Sequence, residues 1–394
     1  IKLFVTKTIR QIYRIALREC GFLRSNPIYG FCMVVFPIVV ILFFTSLMNE
    51  GTPEDMPVGI VDQDNTSTTR ALIRNLDAFQ TTRVVAHYPN INEARQAIQR
   101  NEIYAFLLIP KGTTDGLLSS RRPKISFYYS SVSLVAGSNL FRDLKTISTL
   151  GSAAVGSAKL SALGKTGREI RNYLQPIAID LHMIGNPWAN YNIYLSTAMV
   201  PGLLMLFIFL ITPYSIGTEI KFKRSKEWLA LADNNIFVAL AGKMLPQFLI
   251  FLLVFLGFDF YIYYVLSFPH PGGLFPILLL TLLSLMACQG FGIFAFGLMP
   301  SLRMSMSVCS LWAVVSFSVC GATYPVFAMN PMIEAIAQLF PLRHYYMIYQ
   351  IGIFNGFPLG NAWPNIMALF LMALLPLITI RNMRKALLTY IYIP

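Results

Sequence analysis

Six stretches of the chain stay apolar for long enough to cross a bilayer, which takes about 20 residues at the rise of an α-helix. They fall at 28–48, 194–216, 241–266, 275–299, 304–323 and 363–380. Between the first and the second the pattern changes, and residues 49–190 carry short apolar runs separated by turn residues. There Val58-Gly59-Ile60-Val61 reads as a buried strand, 62–65 as a turn, and Thr66 or Ser67 as the cap of a helix reaching Leu76. "RVVAHY" (83–88) reads as a second strand and "NINEARQAIQRNE" (90–102) as a helix capped by Asn92. "IYAFLLIP" (103–110) is a third, fully buried strand and "KISFYYS" (124–130) a fourth. Strand, helix, strand, helix, strand is the order of a small α/β unit. From 131 to about 181 the segment is rich in Ala, Ser and Leu and predicts helices, broken at Gly164-Lys165-Thr166-Gly167.

Composition agrees with a membrane protein, because only 12% of residues are charged against about 25% in a soluble domain. A net charge of +13 would suggest nucleic acid in a soluble chain; here what matters is which loops hold the positive residues. Lys2, Lys7, Arg10, Arg14, Arg18 and Arg24 precede the first span, and Lys221, Lys223, Arg224 and Lys226 follow the second. Arg303 lies between the fourth and fifth, and Arg381, Arg384 and Lys385 follow the sixth. The alternate loops around 267–273 and 324–362 hold only Arg343 besides histidines. Both termini are therefore expected in the cytoplasm and the insert outside; the expected location is a bacterial inner membrane. The expected fold is a polytopic α-helical membrane protein of six transmembrane helices with an inserted extracytoplasmic α/β domain.

The first span is too long for a cleaved signal and lacks a small-residue cleavage site. Ahead of it, 1–26 places Lys7, Arg10, Arg14 and Arg18 at three- and four-residue spacing, with Ile9, Ile12, Tyr13, Ala16 and Leu17 between them. That pattern predicts a helix in the cytoplasmic interface with its basic face toward headgroups; the simpler reading is a charged flank that orients span 1. The segments are thus 1–26, span 1 at 27–48, the insert at 49–190, and spans 2–6 within 191–394. Trp188, Tyr191 and Tyr194 form an aromatic anchor before span 2, and Pro201 and Pro213 predict bends in it. All five cysteines lie in or near membrane segments, so the insert must fold without disulfides.

Candidate chemistry is sparse. Gly164-Lys165-Thr166 resembles the end of a phosphate-binding loop, but Lys159 stands where the pattern needs its first glycine, and no buried strand feeds it. On the outer side cellular ATP is not available, so a solvated loop is the expected reading. Asp62 and Asp64 resemble part of a calcium loop that lacks its glycine and final glutamate, so a hydrogen-bonded turn is the better expectation. His87, His182, His270 and His344 show no metal-ligand spacing, and no nucleophile pattern appears; neither a catalytic nor a metal site is expected. Asp259, the one acid inside span 3, must face protein or water, with Tyr261, Tyr263 or Tyr264 as partners. The outer segment 324–362 is too apolar for a loop and too broken by Pro325, Pro331, Pro341 and Gly356 for a span. Two short re-entrant helices buried against the bundle fit it, with an Arg343–Glu334 pair inside, acting as a gate or as a static lid.

"EIKFKRSKEWLALADNNIFVALAGKMLP" (219–246) resembles the loop of ABC type-2 exporter permeases, in which "E-R-x-x-G-T-L-E-Q-L" precedes "G-K-x-L-P". Glu219 matches the first acid, Ser225 the threonine, Glu227 the helix acid, and Gly242, Lys243 and Pro246 the closing motif. Arg224 replaces a glycine and Asp233 a proline, departures that bear on the turn's shape and not on its position. "VGIVDQDNTSTTR", "EARQAIQRNEIYAFLLIP", "NPWANYNIYLSTAMVPG" and "MNPMIEAIAQLFPLRHYYMIYQIGIFNG" resemble further motifs of the same family, so the likeness covers nearly the whole chain.

The resemblance implies a permease half without its own ATP site, paired with a second permease, as homodimer or paralogous heterodimer, and with two cytoplasmic ATPase subunits that carry ATP and Mg. It implies that 219–240 forms the coupling helix docking on the ATPase, with Glu219, Arg224, Ser225, Lys226, Glu227, Trp228 and Leu229 as its residues. It further implies export of a drug-like or lipid-like substrate, with a periplasmic adaptor and an outer-membrane channel as partners of the insert. Asp259, Pro331, Glu334, Pro341 and Arg343 are the candidates for the path or its gate. Two other readings stand beside this: a membrane anchor whose insert binds envelope partners, and an ion-coupled carrier protonated at Asp259. The carrier lacks buried charges and an evident inverted repeat.

Overall fold

The computed structural model describes residues 2–49, 51–119, 121, 123–176, 182, 186 and 189–390, and divides into two compact units, Ile1–Asn49 with Ile184–Pro394, and Glu50–Met183. Of the features expected from sequence, Trp188 and residues 177–181 lie outside the described residues.

The first unit opens with a helix at Lys2–Ser25, which ends where Asn26 turns extended and its side chain caps the next helix at Ile28 N, 3.1 Å away, with Pro27 in the first turn. Among the described residues, six helices then have the length and apolarity to cross a membrane: Pro27–Leu47, Tyr191–Lys221, Ile236–Val265, Leu274–Leu298, Leu302–Val319 and Leu359–Thr389, called spans 1 to 6. Span 1 contains a wider π-helical turn at Phe31–Val35 just before Pro37, whose missing N–H cannot continue an α-helix.

Spans 2 and 4 form the centre. Gly290 of span 4 lets span 6 approach so closely that a Cβ there would lie 2.7 Å from the Cα of Ala373. Span 6 outruns its expected end at 380 because Arg381, Arg384 and Lys385 mark the exit from hydrocarbon rather than the end of the helix. Its last turns bury Met383, Ala386 and Leu387 beneath the connection between spans 2 and 3.

The second unit holds a four-stranded sheet in the order β2-β1-β3-β4, with β1 Met56–Asp62, β2 Thr82–His87, β3 Ala105–Ile109 and β4 Ser126–Tyr129. The first three strands are parallel, and β4 runs antiparallel to β3. Alternation divides the core. Val58, Ile60, Leu107 and Ile109 pack with Ile73, Leu76, Leu140 and Leu144 from the helices Ser67–Asp77 and Leu134–Ala162. Val61, Phe106 and Leu108 pack on the other face with Ala94 and Ala97 of the helix Ile91–Gln99. That helix is capped by Asn90, whose side chain accepts from Glu93 N at 2.9 Å; the expected cap, Asn92, already lies inside it. The backbone turns extended directly after Pro89, and this sets the start.

Asp62 and Asp64 act within the fold. Asp62 accepts from the N–H groups of Asp64 and Asn65 and from the Thr69 hydroxyl, at 3.0, 2.9 and 2.7 Å. Asp64 accepts from Gly112 N, Thr114 N and the Thr114 hydroxyl at 2.7, 2.9 and 2.6 Å. The Thr114 hydroxyl, followed by these backbone donors, holds the Asp64 carboxyl below the usual range. In the loop at 163–166, Gly164 takes the left-handed conformation (φ +77°) that ends one helix, and Thr166 caps the next, Gly167–Leu174, in a reciprocal box with Glu169. The tripeptide that resembles a phosphate loop is therefore a helix-to-helix joint.

Candidate functional site

The connection between spans 2 and 3 is short and tightly turned. Lys223 takes a left-handed φ of 58°, and a helix, Ser225–Ala230, follows. Asp233 and Asn234 turn left-handed again, and Asn235 caps span 3 by accepting from Phe237 N at 3.0 Å. The connector helix is amphipathic and keeps its apolar face for its own protein. Trp228 and Leu229 are fully buried among Ile216, Val238, Phe296, Met383 and Leu387. Trp228 Nε1 donates to Ala239 O at 3.3 Å, and Ser225 Oγ donates to Leu387 O at 2.6 Å.

Of the residues expected at the docking surface, Glu219, Ser225, Trp228 and Leu229 are buried within this chain. Lys226 and Glu227 remain exposed and Arg224 is partly exposed, while Phe222, Leu231 and Phe237 present apolar surface beside them.

Behind the connector lies a buried charge cluster. Arg18 of the N-terminal helix grips Glu219 of span 2 with two hydrogen bonds of 2.9 Å. Lys243 of span 3 bonds Glu219 at 2.8 Å and Glu19 of the N-terminal helix at 2.6 Å, and Gln247 donates to Glu19 at 3.0 Å. The Glu219, Glu19 and Lys243 side chains are at most 2% exposed. Two carboxylates against two cations leave the cluster neutral, which is the condition for burying it at tolerable cost. Aromatic rings bracket it, with the Arg224 guanidinium 4.1 Å from the Phe22 ring and Lys243 Nζ 5.2 Å from Trp228.

The N-terminal helix is thus not a free interfacial helix with all its cations on headgroups. Ile15 is buried against Gly242, where a Cβ would come within 2.7 Å of the Ile15 Cβ. Arg18 turns inward, and Lys7 with Gln11 holds Asp233 at 2.6 and 2.8 Å. The Lys7 ammonium, then the Gln11 amide, keeps the Asp233 carboxyl below its ordinary range. Arg10 and Arg14 stay exposed and keep the expected orientation open to them. The charge cluster was missed because its members lie on three separate segments; the acid-and-lysine pairing of Glu219 and Lys243 within one motif was its only sequence signal.

The other expected residues are placed as follows. Asp259 is buried in span 3 and accepts from the Thr281 hydroxyl of span 4 at 2.8 Å; the partner is this threonine and not one of the nearby tyrosines. Pro331 and Pro341 occupy the first turns of two short helices, Pro331–Ala337 and Pro341–Ile348, where a missing N–H does no harm. Arg343 is buried and lies 3.8 Å from Glu334, so the anticipated pair forms. The second helix packs into the bundle through Leu342, Tyr345, Tyr346 and Ile348. The first does not. Met332, Ile333 and Ile336 are exposed, so only half of the segment is buried against the bundle.

Among the described residues, six helices long and apolar enough to cross a membrane and a short amphipathic connector between the second and third describe a multi-pass membrane protein. The chain belongs to the ABC-2 family of transporter proteins, whose family model matches residues 28–380. It is therefore a multi-pass permease of the ABC class, and the family implies an ATPase partner subunit. No curated protein matched the sequence.

Proposed function

We propose that the chain is one permease half of an ATP-driven exporter in a bacterial inner membrane, with both termini cytoplasmic. A second permease, identical or paralogous, completes the path, and two cytoplasmic ATPase subunits bind the ATP and Mg. Docking uses the exposed side of the connector, formed by Phe222, Lys226, Glu227 and Leu231. The observation that carries this reading is the cluster of Arg18, Glu19, Glu219 and Lys243, which ties the N-terminal helix, span 2 and span 3 into one body directly behind that surface. A push on the connector then moves several helices together instead of bending one loop. The substrate is amphipathic, drug-like or lipid-like, and the insert receives a periplasmic adaptor leading to an outer-membrane channel.

The test is co-purification with ATPase subunits and ATP-dependent transport in proteoliposomes. Glu227→Arg combined with Leu231→Asp is expected to cut transport and permease-stimulated ATPase activity at least tenfold while leaving the melting temperature of the permease unchanged. Transport intact in that variant would sink the docking assignment. Asp259→Asn is expected to retain ATP-driven transport within about twofold, because an amide oxygen still accepts from Thr281. Loss of transport together with loss of pH dependence in that variant favours the ion-coupled carrier instead.

A further inference from the structure

A polar cavity of about 180 Å³ opens at the charge cluster and is lined by Glu19, Glu219 and Lys243 of that cluster together with Ser25, Asn26, Tyr29, Thr218 and Arg224. Tyr29 is also part of a second cavity of about 300 Å³, bounded by Arg24, Met33, Val34 and Ile250. Val34 and Ile250 in turn bound a third, of about 510 Å³, between Ile38 and Leu42 of span 1 and Leu253 and Gly257 of span 3. The three share lining residues in sequence, so they form one run from a polar head to an apolar trough. From Tyr29 to Leu42 the trough extends about 20 Å along a helix rising 1.5 Å per residue, enough to cross one leaflet of a hydrocarbon core about 30 Å thick.

Charge is distributed unevenly along this run. Glu19 and Glu219 are already matched by Lys243 and Arg18, which leaves Arg224 in the polar head and exposed Arg24 at its junction with the trough. Arg224 Nε is buried with no hydrogen-bond partner among the described residues, and its nearest carboxylate oxygen, on Glu219, is 4.0 Å away. A buried guanidinium N–H without an acceptor is costly, and a phosphate oxygen is the acceptor that a planar arginine fork matches best. Serine, asparagine, tyrosine and threonine beside it add neutral hydrogen-bonding groups of the kind that suit a glycerol backbone.

We propose that this run binds one anionic glycerophospholipid, with its phosphate at Arg224 and Arg24 and an acyl chain in the trough between spans 1 and 3. The site does not depend on the export reading, because it needs only a bilayer headgroup region at this end of the spans. Occupancy wedges a lipid against the N-terminal helix, span 1 and span 3, the elements that the charge cluster joins.

The purified full chain in detergent is titrated with phosphatidylglycerol, phosphatidylcholine and inorganic phosphate, and binding is read by native mass spectrometry and by the shift in melting temperature. Phosphatidylglycerol is expected to bind with a stoichiometry of one and to raise the melting temperature; phosphatidylcholine is expected to bind at least fivefold more weakly. Arg24→Ala and Arg224→Ala should each weaken phosphatidylglycerol binding roughly fivefold, the effect of one basic residue at a membrane surface. Gly257 has open space where a Cβ would stand. Gly257→Phe is therefore expected to fold normally and to block the trough, lowering binding of both lipids. Equal binding of the two lipids, unaffected by either arginine substitution, would show ordinary annular lipid and overturn the proposal. So would competition by inorganic phosphate with no effect of Gly257→Phe, which would identify a free-phosphate site instead.

Discussion

Lys243→Met is expected to destabilise the permease by about 3–5 kcal/mol, the cost of leaving a buried charge without its partner. Glu19 would then keep only the neutral Gln247 amide, since Arg18 spends both terminal nitrogens on Glu219 and Arg224 also lies nearest Glu219. The companion Glu19→Gln/Lys243→Met removes one charge of each sign and leaves the Arg18–Glu219 pair whole, so it should recover most of that loss. Thermal unfolding of the four members of this double-mutant cycle in detergent reads the coupling directly. Additive effects would mean that Glu19 and Lys243 do not depend on each other. If the cluster also transmits the ATPase stroke, the rescued variant will fold while transporting more slowly than the parent. That split separates holding the helices from moving them.

Trp228→Ala carries the second large effect. The indole is fully buried, bonds Ala239 O and lies beside Lys243, so its removal leaves a cavity under the connector. Large-to-alanine substitutions of this kind cost about 3–5 kcal/mol. The expected result is a sharp fall in the amount of folded permease, with whatever folds showing a lowered melting temperature. Glu227→Arg with Leu231→Asp should behave in the opposite way, keeping stability and losing coupling. A Trp228→Ala permease of normal melting temperature with abolished ATPase association would return the tryptophan to the docking surface. The contrast matters because both positions lie in one six-residue helix, Ser225–Ala230, or its edge, and sequence alone assigns them one role.

The spans were legible because a bilayer demands a long apolar run, and no soluble fold needs so many of them together. Their ends were not, since a helix continues past the hydrocarbon wherever protein covers it, as span 6 does through Met383 and Leu387. The strands of the insert were legible from short apolar runs such as 105–109, and the turn at Asp62 from its residue types. Strand order was not, because a parallel pair is joined through a crossover whose length leaves several neighbours open. Asn90 and Asn92 are equally good caps by residue type, and only the backbone turn after Pro89 chooses between them.

For the candidate site the division is sharper. The motif around Glu219 and Lys243 located the connector and its family, but not which of its residues are buried: Glu219, Ser225, Trp228 and Leu229 are, and Lys226 and Glu227 are exposed. Arg18 and Glu219 are 201 positions apart, and Lys243 and Glu19 are 224 apart. No periodicity or spacing reports a contact across such a distance.

By itself, then, the sequence determined that this chain is a multi-pass membrane protein with six stretches apolar enough to cross a bilayer, carries an α/β insert, and shares the motifs of the ABC-2 permeases, because those properties rest on local apolarity, local turn chemistry and local motif. Only the tertiary structure decided that its N-terminal helix is fastened to spans 2 and 3 by buried charges, and that Trp228 faces inward while Glu227 faces out. A carboxylate or an indole has no fixed role along a chain. What it does is set by which distant side chains desolvate it, and that is known only once the helices are packed.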